Sequence, residues 1–270
     1  FKTLGPQSAK LVTALHERDR PIFRLKDVME ITELTGSSAR GFVRKLVDRG
    51  IATRLKPGLF ILVPFELGKE RRYMGNPLVV AREIMNGEDY YLSHATAMEI
   101  HGMLTQPHLV VTVTTPKPRR PLTTLGVPFR FVRCQRKHLF GLTDHWVTKQ
   151  EKVRVSDAER TIIDGLKQPE HCGGLTEVAK GLWMRRQDLN VDKLIQYAKR
   201  IGVGAVLRRL GFLLETYEMA DAPDLERLQR GLTATYVRLD PVLPAGGKRL
   251  RRWRLQLNID PEELRAVVRT

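Results

Sequence analysis

One stretch constrains the chain more than any other: an amphipathic, basic helix followed at once by two short strands around a Pro-Gly turn. Ala39, Phe42, Val43, Leu46 and Val47 recur at i, i+3, i+4, i+7 and i+8, the spacing of a helix that packs one face on a core. Thr35 or Ser37 can cap its start, and Gly50 supplies a left-handed stop. The opposite face carries Ser38, Arg40, Gly41, Arg44 and Lys45. Ile51–Leu55 and Leu59–Val63 flank Lys56-Pro57-Gly58, and Pro-Gly suits the central positions of a type II turn. Two amphipathic segments come first, about 8–18 with Leu11, Ala14 and Leu15, and about 25–32 with Leu25, Val28 and Ile31.

Three helices followed by a hairpin, with a basic third helix, is the order of a winged helix-turn-helix domain. Ser37 and Ser38, at the helix start, let the backbone approach phosphates. Arg40, Arg44 and Lys45 would act from the recognition helix on phosphates or on the guanine edge, and Arg54 and Lys56 from the wing. A solvated surface helix is the competing reading; the order of elements and the basic wing favour DNA. Charge agrees. The 270 residues hold 46 Lys+Arg against 30 Asp+Glu, a net +16, and residues 1–75 alone hold 15 against 8. Such a balance favours a polyanionic partner, nucleic acid ahead of a membrane surface.

Length at about 100–200 residues per domain suggests two domains. The polar stretch 65–75 reads as a linker or short connecting helix, and Asn76-Pro77 as a cap and first-turn proline that open a new unit. The expected division is 1–70, the DNA-binding domain, and 76–270. The larger part reads as mixed, with helices at about 77–86 and 94–103 and strands at 108–115, 127–133 and around 147–155. Ser156 and Glu159 read as a capping box opening a helix with Ile162, Ile163 and Leu166 inward. Helices follow at about 174–185, 191–201, 203–219 and 223–233, with closing strands at 236–239 and 253–259. Strands clustered before helices make the fold class α+β, a winged helix-turn-helix followed by a larger mixed α/β domain.

Several runs in the larger part resemble the C-terminal domain of the AbiEi antitoxins of bacterial abortive-infection systems. They are Tyr91-Leu92-Ser93-His94-Ala95-Thr96-Ala97, Val155 to Asp164, Gly173 to Val178 and Arg208 to Glu215. The tail adds Leu239-Asp240-Pro241, Arg252-Trp253-Arg254-Leu255 and Asn258. The resemblance implies a transcriptional autorepressor that binds inverted repeats in double-stranded DNA upstream of its own operon. It also implies an antitoxin that antagonises a nucleotidyltransferase-like toxin, directly complexed or not, and that self-associates on DNA.

Other chemistries find less support. His94, His101 and His108 are seven apart, ~10 Å along a helix axis, too far for one ion to bridge. Asp157, Glu159, Arg160 and Asp164 read as first-turn acids and a helical ion pair rather than a magnesium site. Cys172 beside His171 lacks a visible activating base. Cys134 and Cys172 make neither a disulfide framework nor a zinc site. Neither a Walker A loop nor a Rossmann glycine fingerprint is present, so no cofactor or metal is expected and the chain reads as a non-enzyme. A ligand-responsive regulator and a nucleic-acid-processing enzyme are the alternatives. Without an apolar run near ~20 residues or a secretory core after Phe1, the expected location is cytoplasmic. Lys248, Arg249, Arg251, Arg252 and Arg254 surround Trp253 and read either as a second polyanion contact or as a solvated basic strand edge. Arg208 and Arg209 read as surface residues on an amphipathic helix.

Overall fold

The computed structural model describes residues 4–266, and among these it holds eleven α-helices and three β-sheets, a mixed α+β architecture. It divides into two compact units. One runs to Asp89 and adds the segments Pro121–Phe129 and His145–Val153; the other takes Tyr90–Arg120, Arg130–Asp144 and the chain from Arg154 onward.

The first unit begins with α1 (Pro6–Glu17), β1 (Ile22–Arg24), α2 (Leu25–Thr32) and α3 (Gly36–Asp48), followed by β2 (Ala52–Lys56) and β3 (Leu59–Leu62). Ala39, Val43 and Leu46 are the buried stripe of α3, while Phe42 and Val47 pack at its margin. They meet Leu11, Val12 and Leu15 of α1 and Val28 and Ile31 of α2 in one core. The strands form an antiparallel sheet in the order β1-β3-β2. The periodicity gave no sign of β1, which is only three residues long; it is held by pairing with β3, where Phe23 lies opposite Phe60 with the rings stacked at 5.7 Å. Gly58 sits at φ +77°, a conformation the turn demands and that a side chain would strain.

The unit boundaries differ from a linear cut near residue 70. The stretch expected as a linker is tied down: Thr53 Oγ1 accepts from Tyr73 N at 3.0 Å and donates to the Arg71 carbonyl at 3.3 Å. Helix α4 (Pro77–Met85), capped by Asn76 as the sequence suggests, also belongs to this unit. Arg24 donates to the Glu83 carbonyl, and Arg82 pairs with Glu151 at 2.5 Å.

The second unit contains most of a six-stranded sheet ordered β6-β7-β5-β4-β9-β8, from β4 (Tyr91–Leu92), β5 (Val111–Thr115), β6 (Leu122–Thr124), β7 (Val127–Arg133), β8 (Leu142–Trp146) and β9 (Lys152–Ser156). Of the strand expected around 147–155 only the second part forms, as β9; residues 147–151 are the turn from β8, in which Val147 and Thr148 donate to the Glu151 carbonyl. Helix α5 (His94–Ile100) follows β4. Five helices then build the main core: α6 (Ala158–Lys167), α7 (Leu175–Met184), α8 (Val191–Ile201), α9 (Gly204–Thr216) and α10 (Ala222–Gln229). Ile162, Ile163 and Leu166 of α6 are fully buried among residues of α7, α8 and α9.

Asp157, not Ser156, caps α6, accepting from Arg160 N at 2.8 Å. The capping box fails because both of its members are used elsewhere. Ser156 ends β9 with its hydroxyl 2.7 Å from that of Thr161, and Glu159 accepts from Asn190 N and from Lys193. The chain closes with a small sheet ordered β10-β12-β11, from β10 (Val237–Arg238), β11 (Lys248–Leu250) and β12 (Leu255–Leu257), then α11 (Pro261–Ala266). Trp253, expected in a strand, lies in the turn between β11 and β12.

Candidate nucleic-acid interface

The face of α3 away from its core carries Ser37, Ser38, Arg40, Arg44 and Lys45, all exposed. Arg54 is exposed on β2. A concavity of about 550 Å³ opens between α3 and the hairpin, and Arg40, Arg44 and Arg54 all line it, over a floor of Val43, Val47 and Phe60. Asp48 is the one acid in that lining. Elsewhere in the same unit Lys10 pairs with Glu33 and Arg18 with Glu30, both at 2.9 Å. Arg40, Arg44, Lys45 and Arg54 have no such ion pair among the described residues. Thr35 Oγ1 donates to Ser38 Oγ at 3.2 Å and makes no capping bond, so the first amides of α3 lack a side-chain partner from the cap. Lys56 behaves differently from the other wing residue: its ammonium donates to the Ile84 carbonyl at 3.3 Å.

The second basic cluster is partly consumed by the fold. Arg252 pairs with Glu215 at 2.6 Å, and Arg249 and Arg254 lie over the Tyr236 ring at 5.4 and 5.7 Å. Lys248 and Arg251 remain as exposed cations. Arg208 and Arg209, expected at the surface, are 2% and 4% exposed. Arg209 donates to the carbonyls of Leu239, Leu166 and Arg238, and Arg208 to Thr233 and Thr235. Burial lowers the Arg209 guanidinium to about 10. A guanidinium can be buried this way because its donors meet fixed carbonyls, a match no linear pattern displays.

Most of the residues with catalytic potential are engaged within the fold. His94 is buried at φ +52°, with Nδ1 2.9 Å from Ser93 Oγ and its ring edge-on to His171 at 5.2 Å. Burial, then His171 and Lys167, hold its pKa well below the ordinary value, so the ring is neutral at pH 7. His101 Nε2 donates to the Ser156 carbonyl at 2.6 Å. Among the described residues no group of three or more His, Cys, Asp or Glu is arranged to hold a metal ion. Asp157 accepts from Tyr197 and pairs with Lys193, and Asp164 is enclosed by Arg160 and Tyr91. Cys172 is 2% exposed and burial pushes its thiol up, the reverse of an activated nucleophile. Mass mapping after a brief exposure of native protein to iodoacetamide at pH 8 should therefore find Cys172 unmodified and, after unfolding, fully alkylated. Rapid native modification would revive the nucleophile.

The runs Tyr91–Ala97, Val155–Asp164, Gly173–Val178 and Arg208–Glu215 are each fastened by buried hydrogen bonds within the second unit. Tyr91 joins Arg160 and Asp164, Ser93 joins Thr114, Leu175 N donates to Asp240, and Arg209 fastens the end of β10. The family model for the AbiEi antitoxin C-terminal domain matches residues 91–216. Over those residues the chain is similar to the AbiEi antitoxins. The match supports a toxin–antitoxin role for the chain. The tail runs at Leu239–Pro241, Arg252–Leu255 and Asn258 fall outside the matched residues, yet the Asn258 side chain accepts from Asp240 N and donates to the Asp240 carbonyl within the same unit. No curated protein matches the chain. The crystal structure of the RV2827C protein from Mycobacterium tuberculosis is similar in fold, with a TM-score of 0.73 at 14% identity, covering 99% of this chain and 96% of that one. Among the described residues no helix is long and apolar enough to cross a membrane.

Proposed function

We propose that α1–α3 and the β2–β3 hairpin are a winged helix-turn-helix domain that binds operator DNA, and that the chain is the autorepressor and antitoxin of its own operon. The observation that carries this reading is the convergence of Arg40, Arg44 and Arg54 on one concavity, without an ion pair among the described residues. Helix α3 enters the major groove with Arg40 and Arg44 toward bases or phosphates, and Lys45 adds a phosphate contact. Ser37 and Ser38 bring the α3 amides to the phosphate chain, where the helix N-terminus favours an anion. Arg54 contacts the flanking backbone. Lys56, drawn to the Ile84 carbonyl, has the smaller part. The AbiEi domain antagonises a nucleotidyltransferase-like toxin. Each winged helix covers one half-site, so inverted repeats need two molecules.

The test is binding to the DNA upstream of the gene, against scrambled DNA of equal length, across a salt series. Arg40→Ala or Arg44→Ala should cost about 1–3 kcal/mol if the arginine reads a base. A phosphate contact would weaken both DNAs alike and lower the salt slope by about one. Operator affinity unchanged in both variants would remove α3 as the reading element. Growth rescue of cells expressing the neighbouring toxin tests the antitoxin half separately.

A further inference from the structure

The second unit contains a cavity of about 610 Å³ that neither the DNA-binding reading nor the AbiEi motifs use. Lys117 enters it from beyond β5, Arg133 from the end of β7, Arg136 and His138 from the turn that follows, and Lys167 from the last residue of α6. No carboxylate lines it. We propose that this cavity is a binding site for a small ligand carrying one or two phosphoryl groups.

Three observations support the assignment. Four cations from three separated stretches of chain face one concavity, and neither Arg133 nor Lys167 has an ion pair among the described residues. Arg133 and Lys167, like charges on one concavity and without such a pair, cost stability there unless an anion neutralises them. His138 is 6% exposed, and neither of its ring nitrogens has a hydrogen-bond partner. Buried polar groups are normally bonded, and an imidazole N–H at the wall would donate to a phosphoryl oxygen. The field is felt by that ring, since after burial itself Lys167, Arg160, Lys137 and Arg200 lower its proton affinity. The volume lies within the range of small-molecule sites. Arginine forks suit phosphoryl oxygens in pairs, lysine supplies a point charge, and Val203 with Cys134 gives the organic part of an ester an apolar wall.

The experiment is calorimetric titration of the full chain with pyrophosphate and with AMP at physiological salt, beside nitrogen-15 spectra of the histidine rings. One site per chain is expected for at least one probe, with movement of the His138 ring resonances. Arg133→Gln with Lys167→Gln should weaken binding at least about tenfold, whereas Lys69→Gln with Arg72→Gln, equal in charge change, should leave it within about twofold. Both pairs change only exposed or half-buried side chains, and circular dichroism checks that each folds. Absence of saturable uptake of either probe below about 10 mM would overturn the proposal. So would an equal loss in the two double variants, which would mean generic attraction to a basic protein. Binding of a single-stranded oligonucleotide that depends on Arg133 and Lys167, with no uptake of the small probes, would also overturn it.

Discussion

Asp164→Ala is expected to cost about 3–5 kcal/mol of folding stability, because it leaves a buried guanidinium without its counter-charge. Arg160 is 1% exposed. Its Nε and Nη2 reach Asp164 Oδ1, each at 3.0 Å, Nη2 donates to Tyr91 Oη at 2.9 Å, and Nη1 to the Phe140 carbonyl at 3.3 Å. Tyr91 Oη in turn donates to Asp164 Oδ2 at 3.1 Å, so three groups satisfy one another inside the region that matches the AbiEi model. The guanidinium also lies 4.4 Å from the centre of the Phe140 ring. Removing the whole network at once should be far milder than removing one member, since apolar replacements leave no charge to desolvate. Tyr91→Phe with Arg160→Met and Asp164→Leu is therefore expected to recover most of the loss in urea denaturation. A single Asp164→Ala variant that loses under about 1 kcal/mol would mean that water reaches the site, and the network would not be the clamp between β4 and α6.

Trp253→Ala is expected to cost about 3–5 kcal/mol, the usual loss when a large core ring becomes a cavity. The indole is fully buried, and its Nε1 donates to Glu215 Oε2 at 2.5 Å. It rests on α9 at Gly211, where a Cβ would come within 2.1 Å of the ring, so only glycine lets helix and indole meet. Gly211→Ala should destabilise by about 1–3 kcal/mol or more through overpacking. The two changes should not add: with the ring gone, the new methyl enters space that is already empty, and the double variant should be less damaged than the sum. Additive losses in denaturant titrations would show that the two residues are not in contact. The packing also narrows the role of the 248–254 cluster. Glu215 holds both the indole and Arg252, so part of the basic turn is anchored to the core, and Lys248 and Arg251 are what it leaves for a polyanion.

The first unit was legible where sequence neighbours decide structure. The α3 stripe, Gly50, the Pro57-Gly58 turn and the Asn76 cap are local patterns, and the elements form within a few residues of where those patterns put them. The expectation failed where a residue had two possible partners. Ser156 and Glu159 have capping-box spacing, but Thr161 and Asn190 compete for them, and Asp157 takes the cap. Arg208-Arg209 has the composition of a solvated helix face, yet backbone carbonyls 25 to 43 residues away in sequence receive both guanidinium groups.

What the sequence determined by itself is the helix–helix–helix–hairpin order, the positive balance of the chain, and the runs that resemble the AbiEi domain, because these depend on periodicity, residue type and local spacing. Only the tertiary structure decided which cations are spent and which are left over. Arg160, Arg209 and Arg252 are held by Asp164, by carbonyls and by Glu215, while Arg40, Arg44 and Arg54 share one open concavity and Arg133 and Lys167 another. A charge is the same letter in either state, and its partner is fixed by chain segments that meet only when the cores close.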